Sequence, residues 1–392
     1  MIQGDSLIKD PEGGSNQSGL RDQNARVVLS LIRRHGALSS AEIARRSSLS
    51  AQTVSNIIRA LEGERLLNRG ETIRGKVGKP SVPMALNPNG ALALGLNIGR
   101  RAAELVLVDF TGRQLDRRTV SYRYPIIPDV LAFLKTGIES IAVANPGAKE
   151  LVVGIGVGLP NELWNWLEIV DAPEGAMRAW RDLDIAELVA AEAGVEATLE
   201  NDVTSACVAE HLLGRGSEFS DFAYFFIGAF VGGGLVLNSK VVTGAYGNAA
   251  AFGSLLVPKP GGGMTQLLNV ASLHVLERAV IAAGIDPNAL RDTHSSWQDF
   301  QSLVDPWIEE TSRYLAIAAA SVTSVVEIET VLIDGALPTE VREDLSAATQ
   351  ESLRKLDLKG IEKPAIGAAT VGPTARSVGA ALLPIHSRYF LA

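Results

Sequence analysis

The densest run of side chains able to do chemistry lies near the N-terminus, in Ser50, Gln52, Thr53, Ser55, Asn56 and Arg59. These are short or planar hydrogen-bonding groups, the kind that reach base edges and phosphates in a DNA major groove. An ordinary amphipathic helix would more often carry Glu and Lys at such positions. A second cluster, Arg74-Gly75-Lys76-Val77-Gly78-Lys79-Pro80, combines three cations with glycines that let the backbone turn tightly. Arg74, Lys76 and Lys79 could then follow a phosphate ridge or enter a minor groove. Metal chemistry finds little support: one cysteine, Cys207, and the scattered His35, His211, His274, His294 and His386 supply no Cys₄ or Cys₂His₂ cage from a single chain.

The elements that must position the first cluster can be read from spacing. Val27, Val28, Leu31 and Ile32 recur at helical intervals over 24–35, and Gly36 ends that helix. Ser39 followed by Glu42 has the spacing of a capping box and opens a short helix at 41–46. Ser50 is the N-cap of a third helix, 51–62, whose Val54, Ile57, Ile58 and Leu61 form one apolar face and leave the hydrogen-bonding cluster outward. Two strands, 66–69 and 82–86, flank the basic segment. Three helices followed by a basic hairpin describe a winged helix-turn-helix.

Charge divides the chain in the same place. Residues 1–90 hold 13 Lys/Arg and 8 Asp/Glu, a net +5, whereas the whole 392-residue chain is −8, so residues 91–392 carry −13. A basic head on an acidic body is suited to meeting a polyanion with the head alone, here a double-stranded DNA operator; a solvated basic face, or a helical domain that docks a protein, is the rival reading. Residues 1–19 are rich in Gly, Ser, Asn and Gln and read as a disordered leader. The longest weakly polar run, 314–326, contains Ser321, Thr323 and Ser324 and falls short of the ~20 apolar residues that cross a bilayer. No membrane partner and a cytoplasmic location are therefore expected.

The acidic body alternates strands and helices. Apolar runs at 91–98, 103–109 and 114–120 form a strand meander, and a similar one returns at 222–227, 234–237 and 240–243. Helical spacing predicts helices at 130–144, 185–193, 203–213, 267–283, 300–326 and 375–387, with further strands at 151–157 and 331–333. A repeated meander alternating with helices implies two related α/β lobes facing a cleft.

Glu200-Asn201-Asp202-Val203, the run from Gly228 through Gly232-Gly233-Gly234 to Val236, and Gly244 to Gly253 resemble, in order and spacing, the signature of the ROK family of repressors and sugar kinases. The resemblance covers about residues 20–392. It implies an α/β architecture: a winged helix-turn-helix at 20–90, then a two-lobed actin/hexokinase-like, ribonuclease H-like ROK domain at 91–392. Lobe 1 would take 91–200 with 375–392, and lobe 2 would take 201–374.

By that resemblance Asp202 stands where the family's kinases place the carboxylate that accepts a proton from the sugar hydroxyl; its alternative task is to cap the helix that follows. The phosphate machinery departs from the pattern. Asn97-Ile98-Gly99-Arg100-Arg101 replaces Asp-x-Gly-Gly-Thr, and Ala229 replaces a threonine. Gly232, Gly233 and Gly234 could remain as a residual phosphate loop, or could mark close packing. Ala251 and Leu268 fall where sugar-binding glutamates would be, Ser254 falls where a zinc-binding histidine would be, and 258–266 lacks the family's cysteines. No metal and no cofactor are therefore implied.

Effector contacts would come from Asn201, Asp202, Ser254, Asn161 and Glu162, with Trp164, Trp166 or Trp180 able to stack on a sugar ring or fill the core. The expectation is a DNA-binding regulator, a repressor, acting as a homodimer or homotetramer and controlled by a carbohydrate-like ligand between the lobes. No catalytic residue is implied unless Asp202 retains activity. An ATP-dependent sugar kinase with a regulatory head is the alternative.

Overall fold

The computed structural model describes residues 17–72, 82–165, 172–173, 175–291, 293 and 296–391. The head opens with α1 (Gln17–His35), which starts before the expected 24 and takes in the end of the expected leader; residues 1–16 lie outside the described residues. Strand β1 (Leu38–Ser39), α2 (Ser40–Ser47), α3 (Ala51–Gly63), β2 (Leu67–Arg69) and β3 (Pro83–Leu86) follow. The three strands form an antiparallel sheet in the order β1-β3-β2. Val28, Leu29, Ile32, Ile43, Val54, Ile57, Ile58, Leu61, Leu67 and Met84 make its core. Leu29 replaces Val27 and Leu31 there, because the α1 face that turns inward is rotated slightly from the one the spacing suggested. The capping box forms: Ser39 Oγ accepts from Glu42 N, and Glu42 Oε2 accepts from Ser39 N at 2.9 Å.

By contacts the chain divides into two compact units, residues 1–157, 162–199 and 380–392 in the first and 158–161 and 200–379 in the second. The head therefore groups with the first lobe. The division at the C-terminus falls between Gly379 and Ala380, inside a helix rather than at 374.

In the first unit, β4 (Leu92–Ile98), β5 (Ala102–Asp109), β6 (Gln114–Ser121), β7 (Val152–Leu159) and β8 (Ala197–Asn201) form a sheet in the order β6-β5-β4-β7-β8. Helix α4 (Ile127–Ala144) covers it with Val130, Leu134 and Ile141. The end of the C-terminal helix (Ala375–Tyr389) lies against β7 so closely that a Cβ on Gly156 would sit 1.8 Å from Ala380 O. The same chain end reaches the head. Leu391 N donates to Ser30 Oγ at 3.0 Å, and the Arg33 guanidinium lies 4.6 Å from the Phe390 ring centroid. Phe390 in turn stacks on Phe110. Burial pushes the Arg33 pKa down to about 10.

The second unit repeats the plan. Strands β9 (Phe222–Ile227), β10 (Val231–Leu237), β11 (Lys240–Val241), β12 (Thr330–Gly335) and β13 (Ala365–Ala368) form the order β11-β10-β9-β12-β13, with β10 antiparallel to β9 and β12 and β13 running parallel. Every residue of Phe222–Ile227 is buried, as expected of a central strand covered on both faces. A 17-residue helix at Thr339–Lys355 was not anticipated. Its buried face mixes Val341, Leu345 and Leu353 with Arg342, Ser346 and Thr349, so its apolar periodicity is weak.

Candidate functional site

The head presents its polar cluster from the N-terminal half of α3. Ser50 caps that helix: its Oγ accepts from Thr53 N at 3.1 Å and lies 2.8 Å from Thr53 Oγ1. Both hydroxyls therefore hold the helix start. Ser50 stays exposed and Thr53 is half-buried. Gln52 Nε2 donates to Asn56 Oδ1 at 3.2 Å, and Arg59 Nη2 donates to Ser55 Oγ at 3.2 Å. These pairs, four residues apart, run along the side of the helix opposite buried Val54, Ile57, Ile58 and Leu61. Gln52, Asn56 and Arg59 are exposed. The turn before α3 uses Ser48 in the left-handed region, φ 59°, which sets the angle between α2 and α3.

Two cations that spacing did not single out, Arg45 and Arg46, lie exposed in the last turn of α2. Burial, and then the neighbouring charges of Arg46 and Arg34, hold the His35 pKa below its ordinary value. Arg69 is chelated by Glu62, and that bond lowers the glutamate pKa, so its charge is compensated. Arg74, Lys76 and Lys79 lie outside the described residues.

In the second unit, Asn201 and not Asp202 caps the helix Asp202–Leu213: Asn201 Oδ1 accepts from Val203 N at 3.0 Å and Thr204 N at 3.1 Å. Asp202 is the first helical residue, and its carboxylate is buried but free of capping duty. Its Oδ2 instead accepts from Arg376 Nη1 at 3.3 Å, a partner 174 residues away. The Arg376 guanidinium lies 4.9 Å from the Phe226 ring centroid. The approach depends on Gly379, where a Cβ would lie 1.7 Å from Ser205 O; each of these residues is three positions beyond a member of the ion pair.

The three glycines expected as a residual phosphate loop lie inside β10, paired with β9. A Cβ on Gly232 would stand 2.7 Å from Val203 Cγ2, on Gly233 2.1 Å from Phe252 Cδ2, and on Gly234 2.4 Å from Cys207 Cβ. Close packing of the strand accounts for all three. The strand begins at Val231 rather than at 234 for the same reason.

A buried polar cluster unseen in the sequence fixes the chain just before Arg376. Glu210 accepts from Arg215 N, Thr370 N and Val371 N at 2.9–3.0 Å. Asp334 accepts from Tyr224 Oη at 2.9 Å, Gly372 N at 3.1 Å and Arg342 Nη1 at 3.2 Å. Burial pushes both carboxyl pKa values up, while these donors oppose the shift.

The remaining residues are dispersed. Asn161 and Glu162 are exposed beyond the end of β7, and Ser254 is exposed at the end of a short 3₁₀ turn, Phe252–Ser254. Trp180 is core, its indole N–H donating to Pro125 O at 3.0 Å; Trp164 is half-buried, and Trp166 lies outside the described residues. Asn97 is buried on β4 with no hydrogen-bond partner for its Oδ1.

A sequence model of the ROK family matches residues 93–386, well over half of the chain. The chain belongs to the ROK family. A MarR family model matches residues 23–71, the helical part of the head. The xylose repressor of Caldicellulosiruptor bescii is 22% identical over 311 residues, covering 76% of this chain and 75% of the repressor. Among solved structures, a ROK family transcriptional regulator, a homologue of the E. coli MLC protein, superposes with a TM-score of 0.68 at 23% identity over 94% of this chain and 97% of its own. A ROK family glucokinase from Streptomyces griseus gives 0.58 at 22% identity over 75% of this chain and 99% of its own. The fold is thus that of a winged helix joined to a ROK body. Within this ROK chain, Asp202 is bonded to an arginine, Arg376. No group of three or more His, Cys, Asp or Glu that could hold a metal occurs among the described residues, and no helix among them is long and apolar enough to cross a membrane.

Proposed function

We propose that this protein is a DNA-binding transcriptional regulator, a repressor whose winged helix reads a double-stranded operator and whose ROK body binds a carbohydrate-like effector beside Asp202. The observation that carries the reading is the exposed row Gln52, Asn56 and Arg59 on a capped helix of a MarR-type head. Planar amide and guanidinium groups on such a helix match the hydrogen-bonding edges of adenine and guanine, and Arg34, Arg45 and Arg46 lie exposed on the same head to meet phosphates. Named repressors and regulators among the relatives support the same reading. The protein would act in the cytoplasm as a symmetric homodimer or homotetramer, with operator half-sites a whole number of helical turns apart.

Fluorescence anisotropy with DNA from the protein's own upstream region, titrated at several salt concentrations against an unrelated duplex, tests this. Preference for the upstream DNA is expected. Absence of binding even at low salt would reject it in favour of a protein-docking head.

Survival of Asp202 favours one other reading, a sugar kinase with a regulatory head. The groups that would handle phosphate count against it: a buried Asn97, Ala229 in place of a hydroxyl, and glycines engaged in packing. Losing positioned charge and donors costs the chemical step more than it costs ligand binding. ATP consumption that depends on Asp202, measured across common hexoses and N-acetylhexosamines, would decide for the kinase.

A further inference from the structure

We propose that the effector held beside Asp202 carries an anionic group, a phosphate or a carboxylate, and that Arg376 is the residue that selects it. The inference rests on the effector-site reading above and names the ligand class. The guanidinium is held in place but not saturated. It faces Phe226 at 4.9 Å and is anchored to Asp202 by a single bond of 3.3 Å, long for a charge-assisted contact, which typically spans about 2.7–2.9 Å. Its Nε is buried and meets no acceptor. The side chain keeps 24% of its surface open beside this loose ion pair, so the part of the guanidinium that Asp202 does not occupy can take a second, bidentate acceptor, and the two oxygens of a phosphate or carboxylate supply that geometry.

The surroundings favour an anion as well. The segment Thr370–Gly372 that leads into the Arg376 turn is pinned by Glu210 and Asp334, and the crossing at Gly379 and Ser205 leaves no room for Arg376 to withdraw with its helix. Of the nearby acids in the Glu200-Asn201-Asp202 run, Glu200 has its pKa raised by burial, which lowers its tendency to carry charge. Asp202 would then accept from a sugar hydroxyl while Arg376 takes the anionic substituent, a division of labour that suits a sugar phosphate or sugar acid and leaves a neutral sugar with half the contacts.

The test is calorimetric titration and thermal shift on the full chain, using glucose, N-acetylglucosamine and xylose, their monophosphates, glucuronate and xylonate, and inorganic phosphate alone. At least one anionic sugar should bind the wild type ten times or more tightly than its neutral parent and than inorganic phosphate. Arg376→Gln should remove most of that preference, Arg376→Lys should restore part of it, and Asp202→Asn should weaken neutral and anionic forms alike. The neutral-to-anionic ratio on the wild type needs no variant, so it decides even if a substitution impairs folding. Equal or tighter binding of the neutral parent, with loss in Asp202→Asn, would overturn the anion proposal and keep the effector site. Inorganic phosphate binding as tightly as a sugar phosphate, or an Arg376→Gln protein of undiminished preference, would overturn it too. Silence from the whole panel would overturn both it and the carbohydrate reading.

Discussion

Arg59 is exposed and tethered only by one hydrogen bond to Ser55, which makes it free to exchange that bond for a base or a phosphate. Arg59→Ala is expected to cost about 1–3 kcal/mol of operator binding and to narrow the gap between specific and unrelated DNA. Arg69 provides the internal control: Glu62 already neutralises it, so Arg69→Ala should change DNA affinity far less, and side-by-side anisotropy titrations of the two variants check both outcomes. A second prediction concerns acid. Hydrogen bonds from Ser39 hold the Glu42 pKa below 4.5, its ordinary value. A carboxylate with a lowered folded pKa stabilises the fold above its unfolded pKa, and that contribution is lost as pH falls through the folded value. Circular dichroism of the wild type and Glu42→Gln from neutral pH downward should therefore show a difference in stability that shrinks below pH 4.5. At this scale helix α3 was legible because its apolar face, Val54, Ile57, Ile58 and Leu61, repeats at helical spacing. Asp202 was legible as a residue, but its partner was not: no local pattern links it to an arginine 174 positions later.

At the scale of elements, close approaches between helices and strands depend on missing side chains. A Cβ at Gly379 would fall 1.7 Å from a backbone oxygen, where nothing flexible can yield. Gly379→Ala should therefore destabilise the protein by at least the ~1–3 kcal/mol typical of overpacking and should loosen the Arg376–Asp202 pair, readable as a lowered melting temperature together with weakened effector binding. The Arg33 contact with Phe390 has the opposite sign. Burial pushes the Arg33 pKa down to about 10 and leaves both Nη atoms without a hydrogen-bond partner, a desolvation cost that the ~2 kcal/mol of a desolvated cation–π contact must offset alone. Arg33→Met should leave the melting temperature unchanged or raise it. The strand meanders and the apolar helices were readable because each has one dominant period. Thr339–Lys355 was missed because Ser346 and Thr349 satisfy their hydroxyls on the preceding turn and so can occupy a buried face without apolar spacing. Residues 232–234 show a related ambiguity: a glycine run that packs and a glycine run that cradles an anion look alike until the neighbouring side chains are in view.

For the whole molecule, the split between +5 in residues 1–90 and −13 in the remainder means that DNA attracts one end and is repelled by the rest. Salt dependence should then be governed by the head: Lys76→Ala is expected to weaken all duplexes about equally and to flatten the slope of log K against log salt by ~1, unlike Arg59→Ala, which acts on discrimination. Regulation adds a stricter requirement. An effector can release the operator only to the extent that it binds the DNA-free arrangement more tightly, and thermodynamic linkage makes that factor reciprocal. Moving operator occupancy from nearly full to nearly empty calls for a coupling of about 5.5 kcal/mol, whereas a coupling of 1–3 kcal/mol would only tune it. Effector affinity measured with and without saturating operator duplex should therefore differ by the same factor as operator affinity measured with and without effector. An induced repressor predicts weaker effector binding on the operator, and a co-repressed one predicts tighter binding. Identical affinities in the two states would mean that the site beside Asp202 does not communicate with the head, whatever it binds.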